Sequence, residues 1–207
     1  RVDPGFSLDL AGLVRAAVRA AHGDRVPVIA QGSIVEPGQA EWAVAEGRCD
    51  AVEMTRAQIA DADLVAKLAA GTPERVRPCI LCNQTCMVRD ARNPIVTCVV
   101  DPRTGHELTE PEPAGSTTAV TIVGGGVAGL EAARVAVTSG AAVRLVEAAP
   151  TTGGMLRTAS AGSGRARLAT LWQWCGAATR GPSRRVALFA AALVASGFAT
   201  LPMAIAH

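Results

Sequence analysis

Four of the six cysteines fall within one stretch of twenty residues, at Cys79, Cys82, Cys86 and Cys98, in the spacing C-x2-C-x3-C-x11-C. Three thiols sit close enough in sequence to converge on one side of an inorganic centre, and a fourth returns from the far side of a short loop. Four thiolates make a complete ligand set for an iron–sulfur cluster, and soft thiolate ligation also suits zinc, so the spacing specifies the ligands better than the metal. Zinc sites more often present two separated CxxC pairs, whereas here a tight triplet precedes a lone fourth cysteine, a pattern that favours iron–sulfur. Any fold for this chain must let the segment 77–107 wrap a centre of this kind.

Upstream of the cysteines the pattern alternates between helix and strand. Apolar residues at Leu10, Leu13, Val14, Ala17, Val18 and Ala21 recur at helical spacing across 7–22, with Ser7 as a cap and Gly23 as a stop. A short apolar strand is expected over 26–30, a helix over 36–46, a second strand over 49–54, and a helical stretch from Thr55 to Ala70. Such alternation implies parallel strands with helices outside, in a doubly wound sheet or part of a βα barrel. In a barrel the strand C-termini form the active face and the last loops commonly bind a phosphate. Gly32 would permit close backbone approach there, and Arg56 would offer a forked, permanently charged donor, the competing reading for Arg56 being a solvated surface arginine.

Downstream, the Pro- and Glu-rich segment 108–117 has the composition of a linker. A strand over 119–123 then leads into Gly124-Gly125-Gly126-Val127-Ala128-Gly129, a helix over 130–139, and a second strand over 143–146 that ends at Glu147, 18 positions past the last glycine. A lone GxGxxG is a weak signal; one that leaves a strand, opens a helix and meets an acidic residue after the next strand is a strong one. The glycines let the backbone approach a pyrophosphate at the helix N-terminus, and Glu147 would accept hydrogen bonds from an adenosine ribose. Gly153 and Gly154 supply a second tight turn.

Composition excludes some partners. A net charge of +2 does not suit a dedicated nucleic-acid binder, and the absence of Tyr with only three Phe and three Trp leaves little for base stacking. Clustered cysteines fit a reducing compartment, and no leader pattern precedes the first helix, so the expected location is cytoplasmic. Cys49 and Cys175 read as buried small apolar residues, and His22 and His106 as surface or capping residues.

Together, C-I-x-C-N-x-x-C with Cys98 eleven residues on, V-x-D-P-R over 99–103 and GGGVAGLEAAR over 124–134 resemble the iron–sulfur members of the old yellow enzyme family. That family includes 2,4-dienoyl-CoA reductase, trimethylamine dehydrogenase and related NADH-dependent flavin oxidoreductases, and within it the mycofactocin-associated branch is the suspected match. The resemblance covers about residues 7–174. It implies an α/β chain made of the C-terminal part of an FMN-binding TIM barrel (1–76), a cluster-binding segment (77–107), a linker (108–117) and a partial Rossmann-like FAD domain (118–175). It further implies that Gly32, Ser33, Thr55 and Arg56 hold the FMN phosphate, that Cys79, Cys82, Cys86 and Cys98 hold a 4Fe–4S cluster, and that Gly124, Gly126, Gly129, Glu147, Gly153 and Gly154 hold FAD, or ADP. Electrons would pass between NAD(P)H, FAD, the cluster and FMN to reduce an activated C=C bond of a small-molecule substrate, with the direction reversed in the amine dehydrogenases.

Two departures from the family shape the expectation. The early barrel strands, which carry the family's proton donors, have no counterpart in 1–207, so no catalytic acid is assigned and the chain by itself is expected to be inactive, with exposed sheet edges that favour oligomers or another chain. Residues 176–207 read as a non-family apolar tail, best explained as an unselected sequence from a frameshift or truncated gene; the competing readings of 186–206, which is uncharged, follows Arg184 and Arg185 and is long enough to span a bilayer, are a membrane anchor and a buried helix. The alternatives to an enzyme are a non-catalytic module binding structural zinc or a nucleotide, and a membrane-tethered electron-transfer subunit.

Overall fold

The computed structural model describes residues 3–87, 92, 95–109, 115, 118–179 and 186–190. It is an α/β structure with two parallel sheets. The first unit opens with α1 (Leu8–His22). Gly23 ends it in a left-handed conformation, φ 64°, as expected for a glycine stop. Ser7 does not cap α1; its hydroxyl donates instead to the carbonyl of Gln31, tying the start of the helix to the end of the first strand.

Strands β1 (Ile29–Ala30) and β2 (Ala51–Val52) pair in parallel, Ile29 with Ala51 and Ala30 with Val52, around the intervening α2 (Pro37–Ala45). Both are shorter than the apolar runs suggest, although backbone bonds from the Asp50 N–H to the Val28 carbonyl and from the Glu53 N–H to the Ala30 carbonyl, each 2.8 Å, continue the pairing on either side. The Val28 N–H donates to Asp50 Oδ2 at 2.8 Å, and Arg15 holds the other carboxylate oxygen at 2.9 Å. The Val28 N–H and then the Arg15 guanidinium hold the Asp50 carboxyl down at about 2. Core residues Leu8, Ile34, Ala43, Cys49 and Leu64 fill the space behind this sheet.

The helical stretch expected from Thr55 to Ala70 is two helices, α3 (Thr55–Ala60) and α4 (Leu64–Ala69). Asp61 breaks it. Its backbone is extended and its buried carboxylate accepts the Asp63 N–H at 3.1 Å, the competition with helix backbone typical of Asp. The same carboxylate receives the Lys67 ammonium at 2.6 Å and the Arg77 N–H at 2.6 Å, so the break anchors the entry to the cysteine segment.

In the second unit β3 (Ala119–Val123), α5 (Val127–Thr138) and β4 (Ala142–Glu147) make the expected βαβ unit, with Ala119 to Val123 paired in register with Ala142 to Val146. Helices α6 (Gly154–Ser160) and α7 (Arg167–Ala178) follow. The sequence then departs from expectation. Val186–Ala190, read above as the start of an apolar tail, is β5, parallel to β4 with Val143 opposite Val186 and Glu147 opposite Ala190. A short continuous apolar run is also what a strand of a parallel sheet covered on both faces looks like, and periodicity does not separate that from a helix. Among the described residues no helix is long and apolar enough to cross a membrane, and 191–206 of the proposed anchor lies outside them. Most of the linker segment 108–117 does too.

The two units share a core. Leu130, Leu145, Leu171 and Cys175 of the second pack with Ala60 of the first and with Ile80 and Val100, which flank the cysteines. Leu130 and Leu145 are fully buried, worth about 1.5–3 kcal/mol each.

A cysteine-lined cavity beside a glycine turn

All four predicted ligands, Cys79, Cys82, Cys86 and Cys98, line one cavity, together with Arg56, Asn83 and Thr85. The apolar part of the wall is Ile59, Ile80, Val99 and Val100. The backbone achieves this by turning sharply on either side of Cys82: Leu81 and Asn83 both adopt left-handed conformations, φ 53° and 52°. The fourth cysteine is brought back by a pair of bonds between neighbours of the ligands. Thr85 Oγ1 donates to the Thr97 carbonyl at 3.0 Å and the Thr97 N–H to the Thr85 carbonyl at 3.3 Å, which sets Cys98 beside Cys86.

Each of the four is partly buried and free of disulfide. Burial pushes the Cys79 and Cys86 thiols up from their ordinary range; the neighbouring Cys98 and Cys86 push Cys79 the same way, while the charge of Arg56 opposes the shift at both. The Leu81 N–H donates to Cys79 Sγ at 3.4 Å, a bond that favours a charged sulfur. Among the described residues no group of three or more His, Cys, Asp or Glu side chains is arranged to hold a single metal ion, although the four thiols line one cavity. Cys49 and Cys175 lie elsewhere, buried as expected, and burial raises the Cys175 thiol to about 11.

Next to the cavity is the shelf after β1 and β2. Arg56 Nη2 donates to Ser33 Oγ, bringing those two residues together, and Arg56 Nη1 donates to Asn83 Oδ1 at 2.6 Å. Thr55 lies alongside in α3 but its hydroxyl donates to Glu53. Gly32, φ 134°, must be glycine for a reason internal to the chain: a Cβ there would meet Ser7 Oγ at 2.3 Å.

The glycine turn is assembled by backbone bonds between successive loops. The Gly124 N–H donates to the Val146 carbonyl at 2.8 Å and the Gly153 N–H to the Gly125 carbonyl at 2.8 Å, so both glycine pairs meet above the ends of β3 and β4. A Cβ on Gly129 would sit 1.8 Å from the Gly124 carbonyl oxygen, and one on Gly154 would sit 3.1 Å from Gly126 Cα. By contrast, a Cβ on Gly124 or Gly126 would point into open space. Glu147 stands at the end of β4 and accepts N–H bonds from Ala149 at 2.8 Å and Gly125 at 2.6 Å, which hold its carboxyl below the usual range.

Three residues without an assigned role in the sequence link the two sites. The Arg77 guanidinium, 7% exposed, donates to the Val100 carbonyl and at 3.0 Å to Glu131 Oε1 on α5, and lies 4.7 Å over the Trp174 ring on α7. Glu131 is held in turn by Arg134 at 2.8 Å. Arg167, at the start of α7, donates to Glu36 at 2.9 Å and to the Cys79 carbonyl at 3.2 Å. The one signal for Arg77 in the sequence is its position two residues before the first cysteine; Glu131 and Arg167 look like ordinary helix surface residues.

Residues 122–193 match the model of the NAD(P)-binding Rossmann-like domain, a span that takes in β5. The chain is 40% identical over 136 residues to a bilirubin reductase of Mediterraneibacter gnavus, covering 65% of this chain and 21% of the relative. It is 40% identical over 152 residues to a multifunctional alkene reductase/demethylase of Caballeronia cordobensis, covering 72% and 22%. The solved structure of a 2-naphthoyl-CoA reductase in complex with 2-naphthoyl-CoA superposes with a TM-score of 0.80 at 32% identity, over 90% of this chain and 28% of that one. The chain thus spans about a fifth of the length of these curated relatives.

Proposed function

We propose, from the chain's membership of the old yellow enzyme-like iron–sulfur flavoprotein oxidoreductases, that it forms the electron-transfer region of an NAD(P)H-dependent reductase acting on activated C=C bonds. The observation that carries the reading is the single cavity lined by all four cysteines and packed against a dinucleotide-type domain.

The donor chemistry fits the groups this reading requires. Four thiols on one cavity wall, in a tight triplet with a lone fourth and with an N–H directed at Cys79 Sγ, are the donor set a polynuclear cluster takes. Cys79, Cys82, Cys86 and Cys98 would hold a 4Fe–4S cluster, which supplies one-electron transfer when bound. The open space over Gly124 and Gly126, at the start of α5, suits the pyrophosphate of FAD or ADP. Glu147, now hydrogen-bonded to the turn itself, would exchange the Gly125 N–H for a ribose hydroxyl. Ser33 and Arg56 would bind the FMN phosphate, with Gly32 and Thr55 shaping the shelf.

The chain's own residues otherwise position and exclude. Buried Ile80 and Val100 keep water from part of the cavity wall, and Asp61, Arg77 and Arg167 fix the cysteine segment to helices on both sides. No group in the described residues is assigned as the proton donor to substrate.

The test is iron, acid-labile sulfide and flavin content of anaerobically purified protein, with Cys82→Ser alongside. Iron and sulfide near four each, falling in the variant, are the expected result. Zinc near one, with no sulfide and no flavin, would leave a structural zinc module and overturn the oxidoreductase reading.

A further inference from the structure

We propose that Arg56 is a positioning residue for the cysteine-lined cavity: it ties the shelf after β1 to the turn that carries Cys82, and its fixed positive charge in the cavity wall raises the reduction potential of the centre bound there. This rests on the cluster reading above and goes beyond it, because the resemblance gives Arg56 only a phosphate to hold.

The geometry divides the guanidinium between two segments. Nη2 donates to Ser33 Oγ, in the loop leaving β1, and Nη1 to Asn83 Oδ1, 2.6 Å away in the cysteine turn. Both acceptors belong to residues in left-handed backbone, Ser33 at φ 61° and Asn83 at φ 52°. That conformation is costly for a residue with a side chain, roughly 1–2 kcal/mol, and Asn tolerates it best. Asn83 directly follows Cys82, so the arm that reaches it fixes the turn on which that sulfur is presented. The side chain of Arg56 is itself part of the cavity wall with all four thiols.

Charge then decides the direction of the effect. Four thiolates around an iron–sulfur centre leave it anionic, and reduction adds one more negative charge. A guanidinium does not lose its proton in a protein, so it stabilises the reduced form more than the oxidised one. Cluster potentials respond to local charge, which Arg56 supplies here, and to how the sulfurs are presented, which its bond to Asn83 fixes at Cys82.

The experiment separates this role from phosphate binding by removing the flavin first. Iron and sulfide are measured on the wild-type protein, so a failure of the cluster reading appears before any variant is compared. Cluster reduction is then titrated by electron paramagnetic resonance in flavin-free wild type, Arg56→Gln, Arg56→Lys and Asn83→Ala. We expect Arg56→Gln to keep its iron and to shift the reduction equilibrium about tenfold toward the oxidised form, equivalent to about 59 mV for one electron. Arg56→Lys, which keeps the charge, should restore most of that shift. Asn83→Ala, which frees one arm, should shift the spectrum and give a smaller change in the same direction. An unchanged potential in flavin-free Arg56→Gln would overturn the proposal, and a lowered flavin content of the same variant as purified would then show a phosphate ligand only. Equal shifts in the Gln and Lys variants would overturn it too.

Discussion

The cysteine cavity and the glycine turn solve opposite problems with opposite means. At the cavity, four particular side chains must arrive at one place, and irregular backbone is held there by Thr85 with Thr97, Asp61 with Arg77, and Arg167 with Cys79. At the turn, side chains must be absent, and the strands and helix that carry it are each other's nearest neighbours in sequence. One site depends on side-chain ties and the other on bonds between backbone groups. The cavity should therefore fail when its ties are cut, and the turn when a single methyl group is added.

The largest effect is expected at Gly129. A Cβ placed 1.8 Å from the Gly124 carbonyl oxygen has no flexible neighbour to displace, so α5 must move off β3. Gly129→Ala should lose most of its dinucleotide binding and unfold the second unit at lower denaturant, by about 3 kcal/mol or more. Urea unfolding followed by tryptophan fluorescence reports this, since all three indoles except that of Trp42 lie on α7. A stable Gly129→Ala that still binds FAD or ADP would break the claim that the turn is closed by backbone contact.

Arg77 tests the ties. Removing its cation leaves Glu131 partly buried with Arg134 as its remaining partner and takes a donor from the Val100 carbonyl. Loss of one partner of a buried pair costs about 3–5 kcal/mol. Arg77→Met should therefore destabilise the junction by an amount near the lower end of that range, because Arg134 still holds Glu131 at 2.8 Å. Arg77→Met/Glu131→Gln should recover part of the loss, and a chemical-denaturation double-mutant cycle measures how much. No recovery would mean that the ion pair is not what joins the units.

Legibility followed the same division. The glycine turn, its flanking strands and Glu147 were readable because they repeat a pattern set by local sterics: glycine where backbone meets backbone, an acid where the second strand ends. The four cysteines were readable as a set because thiols so rarely cluster. What was not readable were the residues that act across the chain. Asp61 splits a helix that propensity alone would continue, because its carboxylate has a better use in gripping Lys67 and Arg77. Arg77, Arg167 and Asn83 owe their roles to partners 23 to 131 positions away, a separation no periodicity reveals. Val186–Ala190 is hidden for a different reason: a short apolar run reads alike as strand, helix or tail, and only its pairing with β4 decides between them.

The finest test of the comparison lies inside the turn itself, between two glycines three positions apart. Gly126 has φ −72°, a conformation any residue adopts, and a Cβ there would touch nothing within 4 Å. Nothing in the folded chain therefore requires glycine at this position, and Gly126→Ala should change stability by no more than about 0.5 kcal/mol. The space the methyl group would enter is the approach to the N-terminus of α5, where a pyrophosphate would sit against the backbone. Isothermal titration with FAD or ADP should then show at least tenfold weaker binding on an unaltered melting curve. Such a split, stability kept and affinity lost, is the reverse of what Gly129→Ala predicts, and it would separate glycines kept for the fold from glycines kept for a ligand. Wild-type affinity in Gly126→Ala would mean that the ligand does not approach by this face, and Glu147 would then serve the turn it already holds rather than a ribose.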